Sequence, residues 1–143
     1  MKGSLTIVGL GPGAPELITP AVTDALKDST DIVGYSKYIE RVKDASGKSF
    51  HPSDNREEID RAELSINLAL QGKKVVVVSS GDPGVFAMAS AIFEVVDKKN
   101  ISIDDSSIVV LPGITALLAA SARLGAPIAV SYTHLTLPTK RIV

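Results

Sequence analysis

Apolar residues in this chain fall into short solid runs and into spaced stripes, and their alternation predicts an architecture. The run Val75-Val76-Val77-Val78 reads as a strand buried on both faces, as in a parallel sheet. Leu5-Thr6-Ile7-Val8 and Ile108-Val109-Val110-Leu111 are runs of the same kind, Asp31-Ile32-Val33-Gly34 is a shorter one, and residues 46–51 read as a turn with a weak strand. Between them lie helical stripes. Thr19-Pro20, a hydroxyl cap followed by proline, starts a helix that continues over 21–26. Residues 35–42 read as helical, with Tyr35, Tyr38 and Ile39 on one face. The clearest helix is 56–70, where Ile59, Ala62, Ile66 and Ala69 recur at steps of three and four. Asn55 is its candidate cap, Glu57 and Glu58 suit its positive end, and Gly72 stands where a left-handed stop belongs. Residues 85–96 and 115–124 complete the helices, the last closed by Gly125. Strand and helix alternate, with connections too long for hairpins. The expectation is an α/β layered domain with a mainly parallel sheet of about five strands flanked by helices.

Composition narrows the function. The 143 residues suit one domain. Lys+Arg is 15 against Asp+Glu 16, a net charge of −1, which argues against a nucleic-acid surface. Without cysteine, disulfides, thiolate nucleophiles and cysteine-bound zinc are excluded. No apolar run approaches the roughly 20 residues of a membrane span. The first residues enter strand-like sequence at once and do not read as a signal peptide, so a cytoplasmic location is expected. The histidines, His51 and His134, lie on weak elements, and no histidine–acid set has metal-ligand spacing, so no metal centre is expected.

The candidate chemistry sits at three strand ends. Gly9-Leu10-Gly11-Pro12-Gly13, Ser80-Gly81-Asp82-Pro83-Gly84 and Pro112-Gly113-Ile114-Thr115-Ala116 each follow a strand, and ligands of open α/β sheets bind at the carboxyl ends of strands. The first turn formally fits G-x-G-x-x-G/A. Its helix signal comes only at Thr19-Pro20, Pro12 lacks an amide, and Asp31 stands at the wrong end of the second strand for a dinucleotide site. A plain tight turn is the bland reading. Gly47-Lys48-Ser49 lacks the earlier glycine of a P-loop, Val42 standing there, and Ser80 lacks the glycine that a nucleophile elbow needs two residues before it. Asp82 has two readings: a cap for the helix that follows, or an acceptor for ligand hydroxyl or amine groups. Thr115 has the same pair, and for it both can hold.

Taken together, these three turns, with Leu17-Ile18-Thr19 and Val85-Phe86, resemble the tetrapyrrole (corrin/porphyrin) methylases in order and spacing. Gly34-Tyr35-Ser36-Lys37-Tyr38-Ile39, Glu58-Ile59-Asp60-Arg61-Ala62 and the stretch 77–89 look more narrowly like the precorrin-3B C17-methyltransferases of cobalamin synthesis. The likeness covers 1–127, an N-terminal domain, and stops there. Residues 128–143 read as a truncated or foreign tail, and a second domain as absent. The resemblance implies S-adenosylmethionine as methyl donor, held by Pro12, Gly81, Asp82, Val85, Thr115 and Ala116. It implies methylation of precorrin-3B or its cobalt counterpart at C17 with ring contraction, and a homodimer for the full-length enzyme. Ala14 stands where many members carry Asp, which leaves an acidic contact there in doubt. The many carboxylates of such a substrate make Lys37, Arg41 and Arg61 candidate contacts, against the bland reading of solvated surface charge. No catalytic acid or base is identified, and the chain alone is expected to be a poor enzyme. The alternatives are another methylase of the superfamily, or a non-catalytic nucleotide- or metabolite-binding α/β domain.

Overall fold

The structure, a computed structural model, describes residues 3–42, 46–102, 104 and 107–129. Of the tail read as foreign, 130–143 lies outside them. The described strands are β1 (Ser4–Gly9), β2 (Asp31–Tyr35), β3 (Ser49–Ser53), β4 (Lys74–Ser79) and β5 (Ile108–Leu111). They form one sheet in the order β3-β2-β4-β1-β5, and every strand pair in it is parallel. The expected α/β layering is found. The helices are α1 (Pro20–Asp28), α2 (Ser36–Ile39), α3 (Glu58–Leu70), α4 (Met88–Lys98) and α5 (Ala116–Leu124). None of them is long and apolar enough to cross a membrane.

Period-two alternation within the valine run feeds two cores. Val75 and Val77 join Leu5, Ile7 and Val33 under Ala62, Ile66 and Ala69 of α3 and Ile92 and Val95 of α4. Val76 and Val78 join Val8, Leu10 and Ile32 under Val22 of α1 on the other face. Neighbouring strands β1 and β4 thus send their chains to opposite faces, β1 toward α1 and β4 toward α4. Strand ends where successive crossovers go to opposite faces are the usual place for ligands in such sheets.

Local signals set most helix ends. The Thr19 hydroxyl accepts from Val22 N–H at 3.3 Å, with Pro20 at the first position of α1. At the end of α3, Gly72 N–H reaches Ala69 O and Lys73 N–H reaches Leu68 O, the paired bonds of a glycine stop. Three expectations are corrected. Asn55 does not cap α3, which starts at Glu58 after Glu57 with no side-chain cap. Ile59 lies in its first turn, 45% exposed and off the buried stripe. The helix expected over 85–96 starts only at Met88, because 85–87 form a loop in which Phe86 takes φ 51°.

Asp31 is 3% exposed at the start of β2. Its Oδ1 lies 2.9 Å from His51 Nε2 of β3, and its Oδ2 accepts from Thr30 Oγ1 at 2.7 Å. Burial opposes its ionisation, yet these bonds and the nearby Lys73 charge outweigh burial and hold the carboxyl below its ordinary value of 3.8. A lowered folded value means that the ionised group stabilises the fold above pH 3.8, and that this share is lost as pH falls from there through the folded value. Asp31→Asn is therefore expected to cost about 2 kcal/mol near neutral pH, roughly 5 °C of melting temperature. Thermal melts should show the two curves converging below pH 3.8.

Candidate functional site

The three Gly/Pro turns meet. Leu10 N–H donates to Ser79 O at 2.8 Å, Gly11 N–H to Gly81 O at 3.2 Å, and Gly81 N–H back to Gly11 O at 2.9 Å. This antiparallel bridge zips the turn after β1 to the turn after β4. Gly81 supplies the left-handed conformation it needs, at φ 61°. The third turn is tied in by Asp82, whose Oδ1 accepts from Gly113 N–H at 2.9 Å while Oδ2 accepts from Gly84 N–H at 2.9 Å. Backbones at the junction approach so closely that a Cβ on Gly113 would lie 2.1 Å from Gly81 O and 2.9 Å from Gly9 O. Thr115 Cα lies 3.7 Å from where a Cβ on Gly81 would sit.

The candidate donor contacts can now be located. Gly81, Asp82 and Thr115 lie at this junction, Pro12 adjoins its Gly11, and the exposed Ala116 follows Thr115. Of the two readings of Asp82, the cap is excluded: α4 begins six residues later behind Ala87. The carboxylate instead ties two turns together and retains lone pairs, because each oxygen accepts one backbone N–H bond and can accept more. The Thr115 hydroxyl does cap α5, accepting from Leu118 N–H at 3.3 Å. Val85 lies further along the second turn, half-exposed beside the fully exposed Phe86.

The three candidate cations go to three different places. Lys37 is exposed on α2. Arg41 is half-buried, and its Nη2 donates to Leu10 O at 2.6 Å, with Gly11 O at 3.3 Å from both terminal nitrogens. Its guanidinium braces the first turn from behind, so it is not the solvated surface charge of the bland reading. Arg61 is 4% exposed. Its Nε donates to Ser53 Oγ at 2.8 Å, its Nη2 to Asp54 O, and its Nη1 to the thioether of Met88 at 3.3 Å. Burial pushes both guanidinium values down, with the Tyr38 and neighbouring carboxylate charges opposing it at Arg61 and Tyr38 at Arg41.

A pocket of about 180 Å³ lies beside the junction, lined among others by Tyr38, Arg61, Ser79, Ser80, Phe86 and Met88. Ser79 is 2% exposed, and its hydroxyl has no hydrogen-bond partner. Sequence reasoning did not single out Ser79, since nothing local separates it from Ser80.

A family model described as Tetrapyrrole (Corrin/Porphyrin) Methylases matches residues 4–141, a span that runs past Pro127. A precorrin-3B C(17)-methyltransferase of Sinorhizobium sp. is 41% identical over 137 residues, covering 96% of this chain and 54% of that protein. The crystal structure of the methyltransferase CobJ superposes with a TM-score of 0.81 at 52% identity, over 88% of this chain and 52% of that one. A uroporphyrin-III C-methyl transferase of Thermus thermophilus, complexed with S-adenyl homocysteine, gives a TM-score of 0.70 at 27% identity, over 89% of this chain and 53% of that one. The chain thus spans about half the length of each of these relatives. With strand ends that meet as these do, and a match over nearly its whole length, the chain belongs to the tetrapyrrole (corrin/porphyrin) methylases.

Proposed function

We propose that the chain is the first domain of a two-domain, S-adenosylmethionine-dependent methyltransferase of corrin synthesis. In this reading the whole enzyme is a homodimer that methylates C17 of precorrin-3B, or of its cobalt form, with ring contraction. The observation that carries the donor-binding part is the junction of Gly11, Gly81, Asp82 and Gly113 at the carboxyl ends of adjacent strands. Likeness to the Sinorhizobium enzyme supports the choice of ring carbon.

The residues present fit such a donor. The rim of the junction is glycine and proline, and Asp82 keeps acceptor capacity for hydroxyl or amine groups. Pro12, Gly81, Asp82, Val85, Thr115 and Ala116 are the proposed contacts. When bound, the donor supplies a methyl group already made electrophilic by its sulfonium, so no protein nucleophile is needed. This domain's part is to orient the donor, and positioning of that kind is worth several kcal/mol in favourable cases.

Calorimetric titration of the chain with S-adenosylhomocysteine and with NAD tests the reading. At least tenfold tighter binding of S-adenosylhomocysteine is expected. Equal affinities, or a preference for NAD, would point to a general nucleotide-binding domain instead.

A further inference from the structure

Resting on that reading, we propose that the pocket between Arg61 and Ser79 is a carboxylate subsite that receives an acidic side chain of the tetrapyrrole acceptor. Two independent features point to an anionic ligand. The first is a buried cation that makes no direct ion pair, the carboxylates of Glu58, Glu57 and Asp54 acting on it only from farther away. Arg61 is 4% exposed, yet it takes part in none of the ion pairs within 4.0 Å formed among the described residues. Its named bonds go to a hydroxyl, a peptide carbonyl and a thioether, all uncharged, and the thioether is a weak acceptor. A guanidinium has five N–H groups, so donors remain for a planar carboxylate, the partner its fork fits best.

The second feature is Ser79, which lines the same pocket and whose buried hydroxyl has no partner. A hydroxyl left so costs about 1–3 kcal/mol, and buried polar groups without partners are few in folded proteins. A carboxylate oxygen would accept its hydrogen bond. Glu58 also lines the pocket, but it is exposed, where water screens its repulsion. Phe86 stands at the rim, 104% exposed and held at φ 51°, a conformation uncommon for a bulky residue and found at ligand sites. It offers the flat apolar surface that a macrocycle beside the pocket would cover.

Both the acceptor and the amino-acid end of the donor carry carboxylates. The proposal commits to the acceptor, and the test separates the two. The 143-residue chain and its Ser79→Ala and Arg61→Lys variants are titrated with uroporphyrin, a carboxylate-bearing tetrapyrrole, and separately with S-adenosylhomocysteine. Ser79→Ala removes an unpaired hydroxyl, so it should melt at or above the parent temperature while binding uroporphyrin roughly tenfold more weakly. Arg61→Lys keeps the charge but loses the fork, and should weaken uroporphyrin binding at least as much. S-adenosylhomocysteine affinity should not change in either variant. Uroporphyrin affinity unchanged in Ser79→Ala would overturn the proposal, as would loss confined to S-adenosylhomocysteine, or no uroporphyrin binding by the parent. If S-adenosylhomocysteine binds normally throughout, such a failure removes only the subsite; if the parent does not bind it, the donor-site reading itself fails.

Discussion

Gly113→Ala is expected to lower the melting temperature by about 10 °C and to abolish measurable donor binding. The added methyl would lie 2.1 Å from Gly81 O and 2.9 Å from Gly9 O. Neither carbonyl can retreat cheaply. Gly81 is bonded in both directions to Gly11, and Gly9 ends a central strand. The third turn must therefore pull away, which breaks the Asp82–Gly113 bond and opens the junction. Overpacking of this kind costs about 3 kcal/mol, or roughly 10 °C for a domain of this size. Gly84→Ala is the control: its methyl would meet only the Asp82 Oδ2 atom, at 3.2 Å, and should cost less than about 1 kcal/mol. Equal melting temperatures for the Gly113 and Gly84 variants would show that the close approach does not govern stability.

Asp82→Ala follows in size. It removes the acceptor for two backbone amides, and should cost about 2 kcal/mol of stability. At a temperature where the variant is fully folded, its affinity for S-adenosylhomocysteine should still be at least tenfold lower, because the second and third turns are no longer locked and the ligand's acceptor is gone. Asp82→Asn should rescue only part of the loss. Whichever way the amide is turned, its NH2 group faces one of the two backbone N–H donors. An Asp82→Ala chain that binds S-adenosylhomocysteine like the parent would restrict the carboxylate to a structural tie.

Much of the fold was legible because its strongest signals are local. A run such as Val75–78 between Lys74 and Ser79 admits little but a strand covered on both faces, and Thr19-Pro20 and Gly72 mark helix ends through backbone chemistry that neighbouring residues decide. The strand-end turns were legible for the same reason. What failed depended on distant groups. Val85 and Phe86 extend the apolar pattern of α4, and hydrophobicity alone does not reveal that Phe86 leaves the helical region. Ile59 keeps the right spacing, but the first turn of α3 leaves it exposed. Asp82 has the composition of a cap, while its partner Gly113 lies 31 residues away. Arg41 and Arg61 read in sequence as candidate substrate contacts or as solvated charges, and only tertiary packing sends one to the first turn and the other into a pocket. The unpaired hydroxyl of Ser79 has no sequence signature at all.

The most direct measurement follows the titration with S-adenosylhomocysteine amide by amide, by nuclear magnetic resonance on the isotope-labelled chain. The account predicts that shifts cluster at Gly11, Gly81, Asp82, Val85, Thr115 and Ala116, in one saturable process. Shifts gathered instead at the amino ends of the strands, around Ser49 and Lys74, would contradict it, as would unmoved turn amides at millimolar ligand.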